Sequence, residues 1–151
     1  MAYFTDTIIT RIDAKGRVSV PLKFRQVLEK EEANSFYLIP SIGHPALEGF
    51  GPAAMRDFAS RLSPMDRFSD ESDALALSFF ADSAELVWDG DNRVKIPDVL
   101  LEHAKITGEI LFAGMGPKFQ VWEPEAYQRW RAKALDIARA KRGSLTGGAA
   151  S

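Results

Sequence analysis

The sequence predicts an α+β fold that is rich in β-structure and built from two related halves. Residues 12–21 return in recognisable form at residues 88–97. Both copies place an apolar residue before Asp, an Arg four positions after it, and then Val, a polar residue, a β-branched residue and Pro. The second copy follows the first at an offset of 76 positions. A fixed offset indicates that one supersecondary unit has been used twice.

The first half opens with a predicted hairpin and helix. β-branched residues interleaved with polar ones predict the first strand, and apolar and polar residues alternating with period two predict the second. In the turn between them, Gly16 can adopt a positive φ and Asp13 can accept hydrogen bonds from backbone groups just ahead of it. The elements are a strand at residues 7–12, a turn at 13–16, a strand at 17–20 and, after Pro21, a helix at 22–30.

The remainder of the first half is predicted to contain two short strands and two helices. Residues 36–39 form a run of apolar residues that ends at a proline, which predicts a buried strand. The acidic stretch at 69–73 is expected to face solvent. The other elements are a loop at 41–51 with a short strand at 46–50, a helix at 53–62 opened by Pro52, and a second helix capped by Ser63.

The second half repeats this order and ends in a long helix. Further along the chain the two halves match at an offset of 72 instead of 76, which indicates that the second half has lost four residues from its helix-to-strand loop. We divide the chain into a first half at residues 1–76, a second half at 77–142 and a flexible tail at 143–151. Its elements are strands at 84–88, 93–96, 109–113 and 118–122, a turn at 114–117, a helix at 97–105, and a helix from 123 with Tyr127, Trp130, Ala134, Ile137 and Ala138 on one side.

The composition is that of an ordinary globular protein. The chain has 151 residues, of which 46% are hydrophobic and 26% charged, and its formal net charge is −2. It has no cysteine, which excludes disulfides and thiolate chemistry and fits a reducing cytoplasm. The first residues do not have the pattern of a signal peptide, and nowhere are there eighteen consecutive apolar residues. We therefore expect a cytoplasmic protein that does not enter a membrane.

The repeated motif resembles the marker of a known family. Asp13 with Arg17 and Asp89 with Arg93, each pair followed by a short strand and a proline-led helix, are similar to the paired motifs of the MraZ family of bacterial transcriptional regulators. This family belongs to the wider group of AbrB-like swapped-hairpin DNA-binding proteins. The resemblance extends to about Arg142. The second turn differs from the first, because residues 90–92 lack a basic residue to match Lys15.

The resemblance implies a fold, a partner and an assembly. The implied fold is a double-split β-barrel, in which two pseudo-symmetric halves interleave their strands, with flanking helices. AbrB-like relatives achieve the same arrangement by pairing two chains. The implied partner is double-stranded DNA, as G-containing direct repeats in the promoter of the gene cluster for cell division and cell-wall synthesis. The implied assembly is a ring-like homo-oligomer, and the implied location is the nucleoid.

The two copies of the motif differ in charge. Residues 11–25 carry five cations and one acid, a net charge of +4, whereas residues 87–101 carry a net charge of −1. A hairpin tip can enter the major groove, where Arg17 could bond O6 and N7 of guanine. We therefore predict that the first half is the DNA face. Its predicted DNA-binding residues are Arg17, Lys15, Arg11, Lys23 and Arg25.

A structural explanation of the motif remains open. Asp13 and Arg17 could pair across their turn and hold its shape, which at an exposed site contributes only about 0 to 1 kcal/mol. We favour DNA binding for Arg17, with Asp13 and Gly16 orienting it. For the second copy, Asp89, Arg93 and Lys95, we favour a turn clamp retained by symmetry over a DNA contact.

Two other groups of residues could bind nucleic acid. The last helix carries six cations against one acid between residues 129 and 142, although such a run is more often the solvated side of an amphipathic helix. Trp88, Trp122 and Trp130 could stack on bases, but their patterns favour burial in the core or at a subunit interface.

No catalytic, metal or cofactor site is predicted. His44 and His103 are too few and too scattered to hold a metal ion. The glycines in the turn at residues 114–117 lack the following lysine and helix of a phosphate loop. Two alternatives to a DNA-binding regulator stay open. One is an oligomeric scaffold, and the other is an antitoxin of the AbrB-like group, which a short tail makes less favoured.

Overall fold

The computed structural model describes residues 2–64 and 68–145. Within these ranges the chain is an α+β protein rich in strands. The strands are β1 Thr7–Arg11, β2 Arg17–Ser19, β3 Ser35–Pro40, β4 Leu47–Phe50, β5 Ala84–Val87, β6 Arg93–Lys95, β7 Glu109–Gly114 and β8 Phe119–Trp122. The helices are α1 Leu22–Glu29, α2 Pro52–Leu62, α3 Asp70–Ala76, which continues into a π-helical turn at Leu77–Ala81, α4 Asp98–His103 and α5 Pro124–Leu145.

The strands of the two halves interleave. The larger sheet is antiparallel with the order β1-β7-β8-β4-β3-β5, and β2 pairs with β6 in a separate ribbon. Strand β1 of the first half pairs with β7 of the second, and β5 of the second pairs with β3 of the first. The two equivalent strands β4 and β8 meet at the centre. This arrangement is a pseudo-twofold relation between the repeats.

The hydrogen bonding of the larger sheet is open. In the part of the chain that the structure describes, β1 and β5 lie at opposite edges and do not pair with each other. The α+β class is therefore confirmed, whereas the closed barrel that the resemblance implies is not seen in the strand pairings.

One core serves both halves. The Phe119 ring lies at its centre, with ring centroids 5.0 Å from Phe4, 4.9 Å from Phe24 and 5.4 Å from Phe36. The Phe4, Phe24 and Phe36 rings belong to the first half and Phe119 to the second. A unit of about 75 residues buries little apolar surface by itself, so the shared core compensates for the small size of each repeat.

Helices α2 and α3 differ in detail from the prediction. The side chain of Ser69, not Ser63, caps α3, because its Oγ accepts a hydrogen bond from the N–H of Ser72 at 3.1 Å. Ser63 instead lies at the C-terminal end of α2. Within the acidic stretch at 69–73, Ser72 is buried rather than exposed. A serine in the sequence does not distinguish the end of α2 from the start of α3, since serine suits both a cap and a turn.

Helix α5 is longer than predicted. It continues to Leu145, three residues into the segment expected to be a tail, and the rest of that segment lies outside the described residues. Its first turns pack on the sheet through Tyr127 and Trp130, which lie against a buried cluster that includes Trp122. Trp88 packs partly buried against the main core. None of the described helices is long and apolar enough to cross a membrane.

Candidate nucleic-acid interface

The β2–β6 ribbon brings the two copies of the motif together. Val18 lies opposite Val94 in this antiparallel pair, and both are buried in the core. Because successive side chains of a strand point to opposite faces, the flanking residues of each strand lie on the outer face. That face, which we call the ribbon face, consists of Arg17, Ser19, Arg93 and Lys95.

The turn that precedes each ribbon strand has the same geometry in both halves. Asp13 Oδ1 accepts hydrogen bonds from the backbone N–H groups of Lys15 at 2.9 Å and Arg17 at 2.8 Å. Asp89 Oδ1 accepts from Asp91 at 2.8 Å and Arg93 at 3.1 Å. These bonds fix where each arginine leaves its turn.

Each of these turns has one residue in the left-handed backbone conformation. Gly16 has a φ of 80°, and Asn92, its equivalent in the second half, has a φ of 62°. Glycine adopts this region without strain, and asparagine tolerates it better than most other residues. The two turns therefore keep one backbone shape with different residues.

The arginines cross between the halves. Asp13 Oδ2 accepts from Arg17 Nε at 3.0 Å and also from Arg93 Nη1 at 3.0 Å. Arg17 Nη1 lies 3.7 Å from Asp89 Oδ2. The four residues form one ionic cluster, which we call the motif cluster. The sequence indicates a pair within each turn but not this crossing, because a repeat does not reveal which copies meet in space.

The aspartates of the motif cluster are held as anions. The pKa of Asp13 is lowered chiefly by the backbone N–H of Arg17, with smaller contributions from the N–H of Lys15 and the Arg17 guanidinium, against the opposing effect of burial. The pKa of Asp89 is lowered chiefly by the backbone N–H of Arg93, and the charges of Arg17 and Arg93 add to this. Hydrogen bonds to a carboxylate favour its charged form, so both groups stay ionised at neutral pH.

Acid is expected to weaken the motif cluster. A carboxyl whose folded pKa lies below its ordinary value of about 4 stabilises the fold above that value, and this contribution is lost as pH falls through the folded pKa. We expect the wild type to melt at a higher temperature than the Asp13→Asn/Asp89→Asn variant at pH 7. The difference should shrink below about pH 4 in a series of thermal melts. A difference that stays constant with pH would show that charge is not its cause.

Some of the other predicted residues lie beside the ribbon face. Lys15 is exposed at the tip of its turn, and the side chain of Lys95 from the other half lies next to Gly16. Four of the predicted cations, two from each half, therefore share one surface: Lys15, Arg17, Arg93 and Lys95. The period-two pattern of each strand could have shown which face each cation takes, but not that the two strands pair.

The remaining predicted cations lie on neighbouring elements. Lys23 of α1 is exposed and forms an ion pair with Asp6. Arg25 donates from Nε to the Val20 carbonyl at 3.2 Å, and Arg11 lies opposite Glu109 in the β1–β7 pair. The structure therefore does not bring these three into the motif cluster.

The histidines have packing partners rather than metal geometry. His103 Nε2 lies 3.0 Å from the Ser41 carbonyl oxygen, and the His44 ring lies 4.3 Å from that of Trp130 between centroids. Within residues 2–64 and 68–145, no group of His, Cys, Asp and Glu could hold a metal ion.

Comparison with known proteins finds similar chains. The family model described as "MraZ protein, putative antitoxin-like" matches residues 79–144. A protein of Parvibaculum lavamentivorans named "Transcriptional regulator MraZ" is 42% identical over 135 residues, which cover 89% of this chain and 84% of that protein. Proteins with the same name are 39% identical in Gluconacetobacter diazotrophicus, covering 92% of this chain and 90% of that one, and 34% identical in Rickettsia bellii, covering 95% of each.

Proposed function

The chain belongs to the MraZ family, and from this we propose that it is a transcriptional regulator that binds double-stranded DNA through its ribbon face. The relatives support the first part, since they carry that name. The observation that carries the second part is the ribbon itself, which gathers cations from both motif copies on one outer face. A two-stranded ribbon has the width that the major groove admits.

In this proposal the motif cluster positions the base-reading arginine. A guanidinium has five N–H donors, so the contacts of Arg17 with Asp13 and Asp89 leave donors for O6 and N7 of guanine. Holding the side chain in place beforehand reduces the entropy lost on binding. Lys15 and Lys95 contact phosphates beside the groove, and Arg11, Lys23 and Arg25 add contacts further along the backbone.

Useful affinity requires several copies. The net charge of the chain is −2, so one protomer neutralises few phosphates and binds weakly. We propose a ring-like homo-oligomer on G-containing direct repeats in the promoter of the division and cell-wall cluster. Linked sites of this kind can raise affinity by about two to four orders of magnitude. In this proposal the protein is non-enzymatic and nucleoid-associated in the cytoplasm, and its two halves complete a double-split β-barrel.

A gel shift with a salt series tests this proposal. We expect an array of G-containing repeats to bind at least about tenfold more tightly than a scrambled array of the same length, because base contacts distinguish the two. The logarithm of the affinity for both arrays should fall linearly with the logarithm of salt concentration, with a slope near 0.9 for each phosphate neutralised. Equal affinity for the two arrays would contradict sequence-specific regulation and favour the scaffold alternative.

A further inference from the structure

The C-terminal part of α5 extends away from the body of the protein. Its first turns are anchored by Tyr127 and Trp130, but every residue from Leu135 to Leu145 is exposed. The stretch from Arg131 to Leu145 is about 22 Å long at 1.5 Å per residue. A single helix of this length is only marginally stable in water without a packing partner.

The exposed part of α5 has an apolar stripe among cations. Ile137 is 55% exposed and Leu145 is 87% exposed, and with Ala134 and Ala138 they continue the side of the helix on which Trp130 lies. Residues 129–142 carry a net charge of +5. Arg131 and Lys133 are two residues apart and project about 200° from each other, so they flank the stripe on two sides, and Lys141, four residues after Ile137, lies within it. The cations therefore do not form one phosphate-facing row.

A second surface of the chain has the opposite charge. It consists of α3, the π-helical turn and the following residues to Glu85, and we call it the α3 face. Between residues 68 and 85 the sequence has five acids and no Lys or Arg, a net charge of −5. Leu75, Leu77 and Phe80 are exposed there by 40%, 52% and 37%. The α3 face thus combines exposed apolar side chains with a charge equal and opposite to that of the end of α5.

We propose that the end of α5 docks on the α3 face of a second copy of this chain. The apolar stripe would cover Leu77, and the cations around it would meet Asp70 and Asp73, which lie seven and four residues before Leu77 and therefore share its side of the helix. Within one chain the end of α5 stays exposed, so the chain's own α3 face does not cover it. Bound DNA would leave the apolar stripe without a function, because phosphates do not cover apolar side chains.

This interface has a direction. Each copy offers one helix and receives another on a different surface, so the contact is heterologous and adds copies head to tail, which gives a ring where the rotation between copies closes. The inference deepens the proposed function by locating the homo-oligomer contact, and it rests on that part of the proposal but not on DNA binding. The ribbon face takes no part in it.

Two defective variants that complement each other test the proposal. The first is truncated after Arg131, which removes the exposed end of α5 but keeps the anchor at Trp130. The second is Asp73→Lys/Leu77→Lys, which places two cations on one side of the α3 face. The control is Ile9→Lys on the edge strand β1, since Ile9 is 52% exposed, as Leu77 is. Thermal melts check that each variant is folded.

We expect light scattering to give an oligomer for the wild type and for Ile9→Lys, and a monomer for each of the two interface variants. Mixed in equal amounts, the two variants should form a heterodimer and nothing larger, because the mixture contains one intact helix and one intact α3 face. If the Lys variant does not fold, Asp70→Asn/Asp73→Asn takes its place and should weaken assembly at least tenfold.

Three results would overturn the proposal: a monomeric wild type, a truncated chain that keeps the wild-type mass, and a mixture in which no heterodimer forms. A truncated chain with wild-type mass but weaker binding to any DNA would instead assign α5 to phosphate contacts. Assembly as expected, together with equal affinity for repeat and scrambled arrays, would support the interface and reject the proposed DNA function.

Discussion

Arg17→Ala is expected to lower the affinity for a G-containing repeat array by at least about 100-fold, because each lost arginine–guanine pair costs about 1–3 kcal/mol and more than one protomer loses it. The mass of the oligomer and the melting temperature should stay near those of the wild type. Asp13 keeps its hydrogen bonds to the backbone N–H groups of residues 15 and 17 in this variant, so the turn retains its shape. Gel shift and light scattering measure the two properties.

Two other arginine variants serve as controls for this prediction. Arg93→Ala should reduce affinity less, because residues 87–101 around the second motif carry a net charge of −1, against +4 for residues 11–25 around the first. Arg61→Ala removes an exposed cation on α2, paired there with Asp57, and should leave affinity nearly unchanged. Specific binding retained by Arg17→Ala would reject the assignment, and an equal loss from Arg93→Ala would mean that both halves read the bases.

Phe119→Ala is expected to destabilise the protein by about 3–5 kcal/mol, because it removes a fully buried ring at the centre of the shared core. For a chain of this size the melting temperature should fall by roughly 6 to 20 °C. The ring contacts Phe4, Phe24 and Phe36 of the first half, so we expect both halves to unfold in one transition. Circular dichroism during a thermal melt measures both effects.

A milder substitution at the same position tests whether the loss of stability follows the apolar volume that is removed. Phe119→Leu keeps most of the apolar volume and should cost clearly less than Phe119→Ala. Gly49→Ala adds volume beside the same ring instead of removing it. A Cβ at Gly49 would overlap the Phe119 ring, so this variant should also destabilise the fold. If Phe119→Ala changed stability by under about 1 kcal/mol, or if two separate transitions appeared, the single shared core would be wrong.

The elements could be predicted from the sequence because their signals are local. The turn at Asp13 follows from one side chain that can accept backbone hydrogen bonds and from a glycine three residues later. The short strand within the loop at 41–51 is confirmed as β4. The capping of α3 was missed, because Ser63 and Ser69 are chemically the same and only the local backbone decides which of them caps a helix.

The partners of the elements could not be predicted in the same way. Nothing in residues 7–11 specifies that they pair with residues 109–113, since alternation indicates a strand but not its neighbour. The crossing of Arg93 to Asp13 depends in the same way on the pairing of β2 with β6, so the motif cluster was not predicted either. The charge comparison between residues 11–25 and residues 87–101 predicted a DNA face on the first half alone, whereas the ribbon places cations of both halves side by side.

The interleaved strands also determine how the ribbon face responds to dilution. Both of its strands come from one polypeptide, so the ribbon forms by a unimolecular step. If the two strands came from two separate chains, the ribbon would come apart as the protein is diluted, because the chains would dissociate. Here a single isolated molecule keeps a complete ribbon at any concentration. The abundance of the protein in a cell would therefore set how many ribbons act together, but not whether each one exists.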